Sequence, residues 1–144
     1  MNARGKVGVL HVILLAALLG AAFWGINYGP VYLDNSELKQ AAQETFNRAK
    51  IKEYPDEQLM RLFFEKSNGG GGNPGVGTHV EVDQYGVSSV KPGLALKTEN
   101  ARIVRDEVHS ILSVEVDYQR TITLWPTKKE KTLTFHIVKE GPLR

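Results

Sequence analysis

Hydrophobic and polar positions along this chain follow three different periods, one after another. From Val7 to Ile26 every residue is apolar or small apart from His11, and no charged side chain stands between Lys6 and Asp34. About 20 such residues, rising about 1.5 Å each in a helix, match the roughly 30 Å hydrocarbon layer of a bilayer. From Asp34 the spacing becomes helical and amphipathic. Leu38, Ala41, Ala42, Thr45, Phe46 and Ala49 recur at i, i+3, i+4 and i+7, while Lys39, Gln40, Gln43 and Arg48 occupy the other side. Asp34, Asn35 and Ser36 are candidate N-caps for that helix, and Pro30 marks a kink or an end of the apolar one before it. A second amphipathic helix starts at Pro55, with Asp56 and Glu57 in its first turn. Leu59, Leu62, Phe63 and Lys66 share one face, Met60 and Phe64 flank it, and Asn68-Gly69 is the stop.

The last third of the chain switches to a period of two. In "SVEVDYQRTITLW" Val114, Val116, Tyr118, Ile122 and Leu124 point one way, and only Arg120 interrupts that phase. In "TLTFHIV" Leu133, Phe135 and Ile137 oppose Thr132, Thr134 and His136, and "ARIV" at 101–104 is a third candidate strand. Alternation of this kind predicts a half-buried antiparallel sheet with one wet face. Two short amphipathic helices cannot bury their faces alone, so they are expected to cover the apolar side of that sheet. The predicted fold class is α+β. The predicted organisation is an N-terminal tail over 1–6, a transmembrane helix over 7–29 and a juxtamembrane helical region over 34–67. A Gly-rich loop or insertion over 68–98 and an antiparallel β-meander over 99–140 complete it.

The apolar stretch reads as an anchor. A signal peptide's apolar region is shorter, roughly 7–15 residues. Cleavage after Ala22, the alternative, would leave Phe23, Trp24 and Ile26 on an exposed terminus. Trp24, Tyr28 and Tyr32 stand where an interfacial aromatic belt belongs, and Arg4 and Lys6 before the span set against Asp34 and Glu37 after it put the N-terminus in the cytoplasm. Ala17, Ala21, Gly25 and Gly29 recur every fourth residue, a spacing that lets helices approach closely in lipid.

Composition narrows the chemistry. Of 144 residues, 18 are Lys or Arg and 16 Asp or Glu, and Arg4 and Lys6 supply the whole excess. The part beyond the span is therefore neutral, and nucleic-acid binding, which needs a clustered basic face, is not expected. The densest basic run, "TKKEK" at 127–131, reads as a solvated turn. The absence of cysteine excludes disulfides, thiolate zinc sites and cysteine nucleophiles. "GVGTHVEV" lacks the Lys of a phosphate-binding loop and leads into a strand pattern at Val80 and Val82. His79, His109 and His136 are scattered, and Ser88, Ser89 and Ser110 lack a nucleophile elbow. No catalysis, cofactor, metal or small-molecule substrate is expected.

The N-terminal "RGKVGVLHVILLAALLGAAFWGINYGPVYLDNSELKQA", with its Arg-Gly, one span and Pro-Val-Tyr-Leu-Asp-Asn running into a helix, resembles short uncharacterised single-pass inner-membrane proteins of proteobacteria. The strands "VEVDYQRTITL" and "LTFHIV" are similar to those that close such chains. The likeness runs from the N-terminus to Glu65 and from Asn100 onward, with 68–98 standing as an insertion. It implies the bacterial inner membrane, with the N-terminus cytoplasmic and the C-terminal domain periplasmic. A weaker likeness is to pilin-like subunits of filaments or secretion assemblies. Those carry a glutamate at the fifth mature position, where this chain has Ile13 or Leu10 for cuts after Gly8 or Gly5. The expected partners are the lipid bilayer and other envelope proteins, or a second copy through the span. Glu115, Asp117, Arg120 and His136, on the wet sheet face or interrupting its pattern, are the candidate interaction surface.

Overall fold

The computed structural model describes residues 8–51, 54–70, 74–91 and 93–143, so the expected tail over 1–6 lies outside the described residues. Helix α1 (Val9–Ile51) is followed by α2 (Asp56–Asn68), then by strands β1 (His79–Val82) and β2 (Ser88–Lys91). A 3₁₀ turn over Thr98–Asn100 leads into β3 (Ala101–Asp106), β4 (Ile111–Leu124) and β5 (Lys129–Pro142). The chain is α+β, with two antiparallel sheets: the two-stranded β1–β2 and the three-stranded β3–β4–β5 meander.

α1 joins the apolar helix and the first amphipathic helix, expected as separate elements, so of the two expectations for Pro30, a kink or an end, the end is excluded. It is a single element, and Pro30 lies inside it. Proline lacks one N–H, so the carbonyl of Ile26 loses its helical partner, a local cost of about 3 kcal/mol. Beyond it Val31, Asn35 and Leu38 are all buried, and that packing outweighs the local preference. Asp34, Asn35 and Ser36 are therefore interior helical residues, not caps. The two halves of α1 have different surroundings. Val9 to Ile26 are exposed at every position, and burial begins at Asn27.

The C-terminal half of α1 and all of α2 cover one face of the large sheet. Leu38, Ala42, Leu59, Phe63, Val114 and Val116 are at or near zero exposure and form the centre of the core. α2 ends at Gly69, whose φ of 90° is open to glycine and strained for other residues. Two ion pairs pin α2: Lys66 to Glu44 on α1, and Arg105 on β3 to Asp56 at 2.7 Å. Arg105 also donates to the Ala49 carbonyl at 3.4 Å, so it joins α1, α2 and β3.

The 68–98 segment is not a loop throughout. It contains the β1–β2 hairpin, turned by Asp83, whose carboxylate accepts from the backbone N–H groups of Tyr85 and Val87 at 2.8 and 2.9 Å. Its base is also tied into the domain. Val76 and Leu96 are buried, and the Asn68 amide clamps the Leu96 backbone with bonds of 2.7 and 2.6 Å. One of its glycines is there for close approach: a Cβ on Gly93 would lie 1.8 Å from the Val76 carbonyl oxygen.

Candidate interaction surface

The outer face of the large sheet is assembled by register. Arg102 on β3 stands opposite Glu115 on β4, Asp117 opposite His136 on β5, and Thr121 opposite Thr132. Each of these cross-strand pairs is bonded. Arg102 Nε donates to Glu115 at 2.7 Å, the Thr121 and Thr132 hydroxyls meet at 3.1 Å, and His136 Nδ1 meets the Asp117 carboxylate. Asn100 adds a bond to the Asp117 carbonyl at 2.9 Å. Three of the four expected surface residues, Glu115, Asp117 and His136, thus form one continuous polar patch, with Glu115 partly covered and the other two open.

Arg120 departs from that expectation. It lies in the same phase as Tyr118 and Ile122, on the face turned toward α1, and its guanidinium is paired with Asp34. The side chains of Arg120 and Asp34 keep 24% and 15% of their exposure. The reason Arg120 interrupts an apolar phase is therefore a carboxylate on the covering helix. A basic residue in the inward phase of a strand was the signal, but a partner 86 positions away cannot be read from spacing.

Arg120 belongs to a polar seam between α1 and β4 that sequence reasoning missed. The Asn27 side chain accepts from the Trp125 N–H at 2.6 Å and donates to the Trp125 and Phe23 carbonyls at 3.1 and 2.8 Å. Two turns on, Asn35 accepts from the Tyr118 hydroxyl at 2.8 Å. Burial, opposed by the Arg120 guanidinium and reinforced by the Asp34 carboxylate, pushes that hydroxyl up to about 12 from an ordinary 10.0. An aromatic ladder runs alongside. Trp24 stacks on Tyr32 at 5.7 Å, Tyr32 meets Phe135 edge-on at 6.0 Å, and Phe135 stacks on Tyr118 at 5.1 Å.

The small residues Ala17, Ala21 and Gly25 are exposed and Gly29 half-exposed; a Cβ on Gly25 or Gly29 would meet nothing within 4 Å. Two further features are open. β5 is an edge of the large sheet, and among the described residues no strand pairs with its outer side. A groove of about 620 Å³ lies between α2 and the start of β3, lined by Met60, Phe64, Leu96 and Ala101 and rimmed by Glu57 and Arg61. His79 and Glu81 pair at 3.2 Å on the exposed β1 strand, and the Gly77 carbonyl and Glu81 raise the His79 pKa above 6.5. Among the described residues no three His, Asp or Glu side chains converge on a point that would hold a metal ion. No family model, curated protein or solved structure matches the chain.

Proposed function

We propose that this chain is a single-pass membrane protein whose α+β head binds other proteins of a bacterial envelope. One observation carries the reading. The first half of α1 is apolar, with a mean hydropathy of 2.3, none of it is covered, and it runs without a break into the helix that anchors the head's core. Eighteen residues from Val9 to Ile26 extend about 27 Å. Leaving that length in water would expose large apolar side chains at eleven of its eighteen positions, far beyond the patches soluble monomers carry. The flanking charges and the likeness to bitopic proteobacterial proteins support a cytoplasmic N-terminus and a periplasmic head.

For the head, the open backbone of β5 suits strand addition by a partner, and the Glu115–Asp117–His136 patch supplies charge beside it. The small-residue stripe from Ala17 to Gly29 supports pairing of spans. Detergent-dependent extraction, protease protection in spheroplasts and site-specific crosslinking from β5 test the reading together. Recovery of the full-length chain in the soluble fraction, with its first segment attached, overturns it.

A second reading, a pilin-like subunit, is favoured by the continuity of α1 through Pro30. A long helix with an apolar N-terminal half and a C-terminal half packed on an antiparallel sheet is the architecture such subunits share. It predicts removal of the first few residues, which the intact mass of the membrane-extracted protein decides.

A further inference from the structure

The "TKKEK" run has no part in the reading above, and the fold carries it to the end of the apolar stretch. β4 and β5 are each 14 residues long and run beside α1, so that their connecting turn reaches Asn27. There the Asn27 amide holds both the N–H and the carbonyl of Trp125. Asn27 is the first buried residue of α1, and Ile26 ends the exposed apolar run. The tip of the hairpin is therefore fixed at one level on the helix, three residues past Trp24.

The side chains at that level form a set. Trp125 is 61% exposed and Trp24 55% exposed. Trp24 stacks on Tyr28 at 6.1 Å, and Lys131 places its Nζ 5.5 Å above the Tyr28 ring and 3.4 Å from its hydroxyl. Lys128 on the turn stands exposed, as do Lys129 and Glu130 at the start of β5. Exposed aromatics and lysines together, at the boundary between an apolar and a polar surface, match the chemistry of the headgroup layer. Indole rings settle at that depth, and ammonium groups pair with lipid phosphates.

We propose that the β4–β5 turn is a second membrane-binding element, which seats Trp125 and the ammonium groups of Lys128, Lys129 and Lys131 among the phospholipid phosphates of the bilayer that α1 spans. The inference rests on the reading of α1 as a span, and helix length then sets the depth. About 27 Å of exposed helix from Val9 to Ile26 must be covered by a hydrocarbon layer of roughly 30 Å. The layer therefore ends close to Trp24 and Asn27, and the turn bonded to Asn27 meets the headgroups. A lone span can tilt in the bilayer and carry the head with it. Two contacts at one depth fix its orientation, and with it the direction in which the β5 edge is presented. The lysines lie about 100 positions beyond the span, outside the flanking residues that set orientation during insertion, so they do not oppose a cytoplasmic N-terminus. Lys129 and Lys131 also have a role that needs no lipid, since charges on the inner face of an edge strand discourage unwanted pairing. That role predicts a turn in water.

The chain has no cysteine, so single nitroxide labels can be placed without background. The full chain is reconstituted into phosphatidylcholine vesicles, with and without phosphatidylglycerol. Labels are attached at Thr127→Cys on the turn, Leu18→Cys in the middle of the apolar run, and Val108→Cys on the turn at the other end of the sheet. Collision with oxygen and with a water-soluble nickel chelate gives the depth of each. The expected result is Leu18 deep, Thr127 at headgroup depth with nickel accessibility several-fold below that of Val108, and Val108 in water. Leu18 deep with Thr127 as open to nickel as Val108 overturns this inference and leaves the span standing. Leu18 in water overturns both. A second measurement covers a label that disturbs the turn. In Trp24→Phe, emission from Trp125 should be blue-shifted and quenched by lipids brominated near the headgroup. Neutralising Lys128, Lys129 and Lys131 to Gln should remove any added quenching produced by the anionic lipid. Unquenched emission at the wavelength of indole in water refutes the placement of Trp125. Quenching that does not change in the lysine variant refutes the phosphate contacts.

Discussion

Replacing Arg120 with Ala separates two descriptions of this residue, a charge on the wet face or a partner of the covering helix. In the structure the change leaves the Asp34 carboxylate beneath the sheet, with 15% of its exposure and no cation. Removing one member of a fully buried ion pair costs about 3–5 kcal/mol, because the remaining charge is left desolvated. A pair at the surface is worth about 0–1 kcal/mol. Arg120 and Asp34 retain roughly a fifth of their exposure between them, so water recovers part of the loss and about 2 kcal/mol is expected. The comparison is Glu115→Ala. Its partner Arg102 keeps 70% of its exposure, and the cost should stay below about 0.5 kcal/mol. Urea unfolding of the full chain in a mild non-ionic detergent reads both values, and about 2 kcal/mol corresponds to a midpoint lowered by about 1 M. The double replacement Asp34→Leu with Arg120→Met removes both charges and should restore most of the loss, since apolar side chains of similar size often match a buried pair. The reasoning fails if Arg120→Ala unfolds within about 0.5 kcal/mol of the parent, or if Glu115→Ala costs as much.

Other expectations follow from the same packing. The Lys66 ammonium, with Arg48 beside it, holds Glu44 below its ordinary 4.5, and Arg105 holds Asp56 below 3.8. The unfolded chain therefore binds protons in acid that the folded chain resists. The stability these pairs provide is fully present above the unfolded carboxylate range and is lost as pH falls below about 4. Asp56→Asn should flatten that loss in a pH series of urea melts. Tyr118 has the opposite sign, since its raised value favours the protonated hydroxyl in the fold. Its contribution is full below 10.0 and disappears as pH rises through about 12, which ultraviolet difference absorbance follows as one late-titrating tyrosine. Leu38→Ala empties a position of zero exposure between α1 and the sheet and should cost about 2–5 kcal/mol by the same melts. Gly141→Ala would set a Cβ 2.9 Å from the Phe46 ring, and about 1–3 kcal/mol of overpacking is expected.

Much of this architecture is legible in the sequence, and the parts that are not share a cause. α2 is bounded by Pro55 and Gly69, and its buried Leu59 and Phe63 follow a single local period. Tyr118 and its valine neighbours on β4, with Ile137 on β5, lie inward as their alternation requires. Rules that act within one turn or one strand suffice for these. Pro30 shows where they stop, because a local penalty was outweighed by contacts with β4 that only the folded chain possesses. The seam partners lie further out of reach: Asn27 with Trp125 and Asp34 with Arg120 are separated by 98 and 86 positions. What the sequence does carry is an anomaly at each end, a basic residue in an apolar strand phase and polar residues on the buried stripe of a helix. The residue that will answer an anomaly cannot be named until the topology is known. The same limit applies to the 127–131 run, whose composition suits any turn and whose meaning comes from where the hairpin ends.

The chemistry of the seam follows from its position. Deep in the head, α1 packs through Leu38, Ala41, Ala42 and Phe46, and water drives that burial. With α1 read as a span, as proposed above, the helix approaches lipid toward Asn27, where that driving force fades because an apolar side chain is as content against acyl chains as against a sheet. A leucine at position 27 would gain little by facing the β4–β5 turn and could turn outward without penalty. Hydrogen bonds and an ion pair behave differently. They are directional, and the groups of Asn27 and Trp125 would have no other partners in hydrocarbon, so these contacts, with the Asp34–Arg120 pair two turns further into the head, define a rotation of helix against head that apolar packing would leave soft. On that reading, a polar seam at the membrane end and an apolar core at the far end are one requirement met in two solvents. A head held at a fixed angle to its anchor needs contacts whose strength does not depend on water being the alternative.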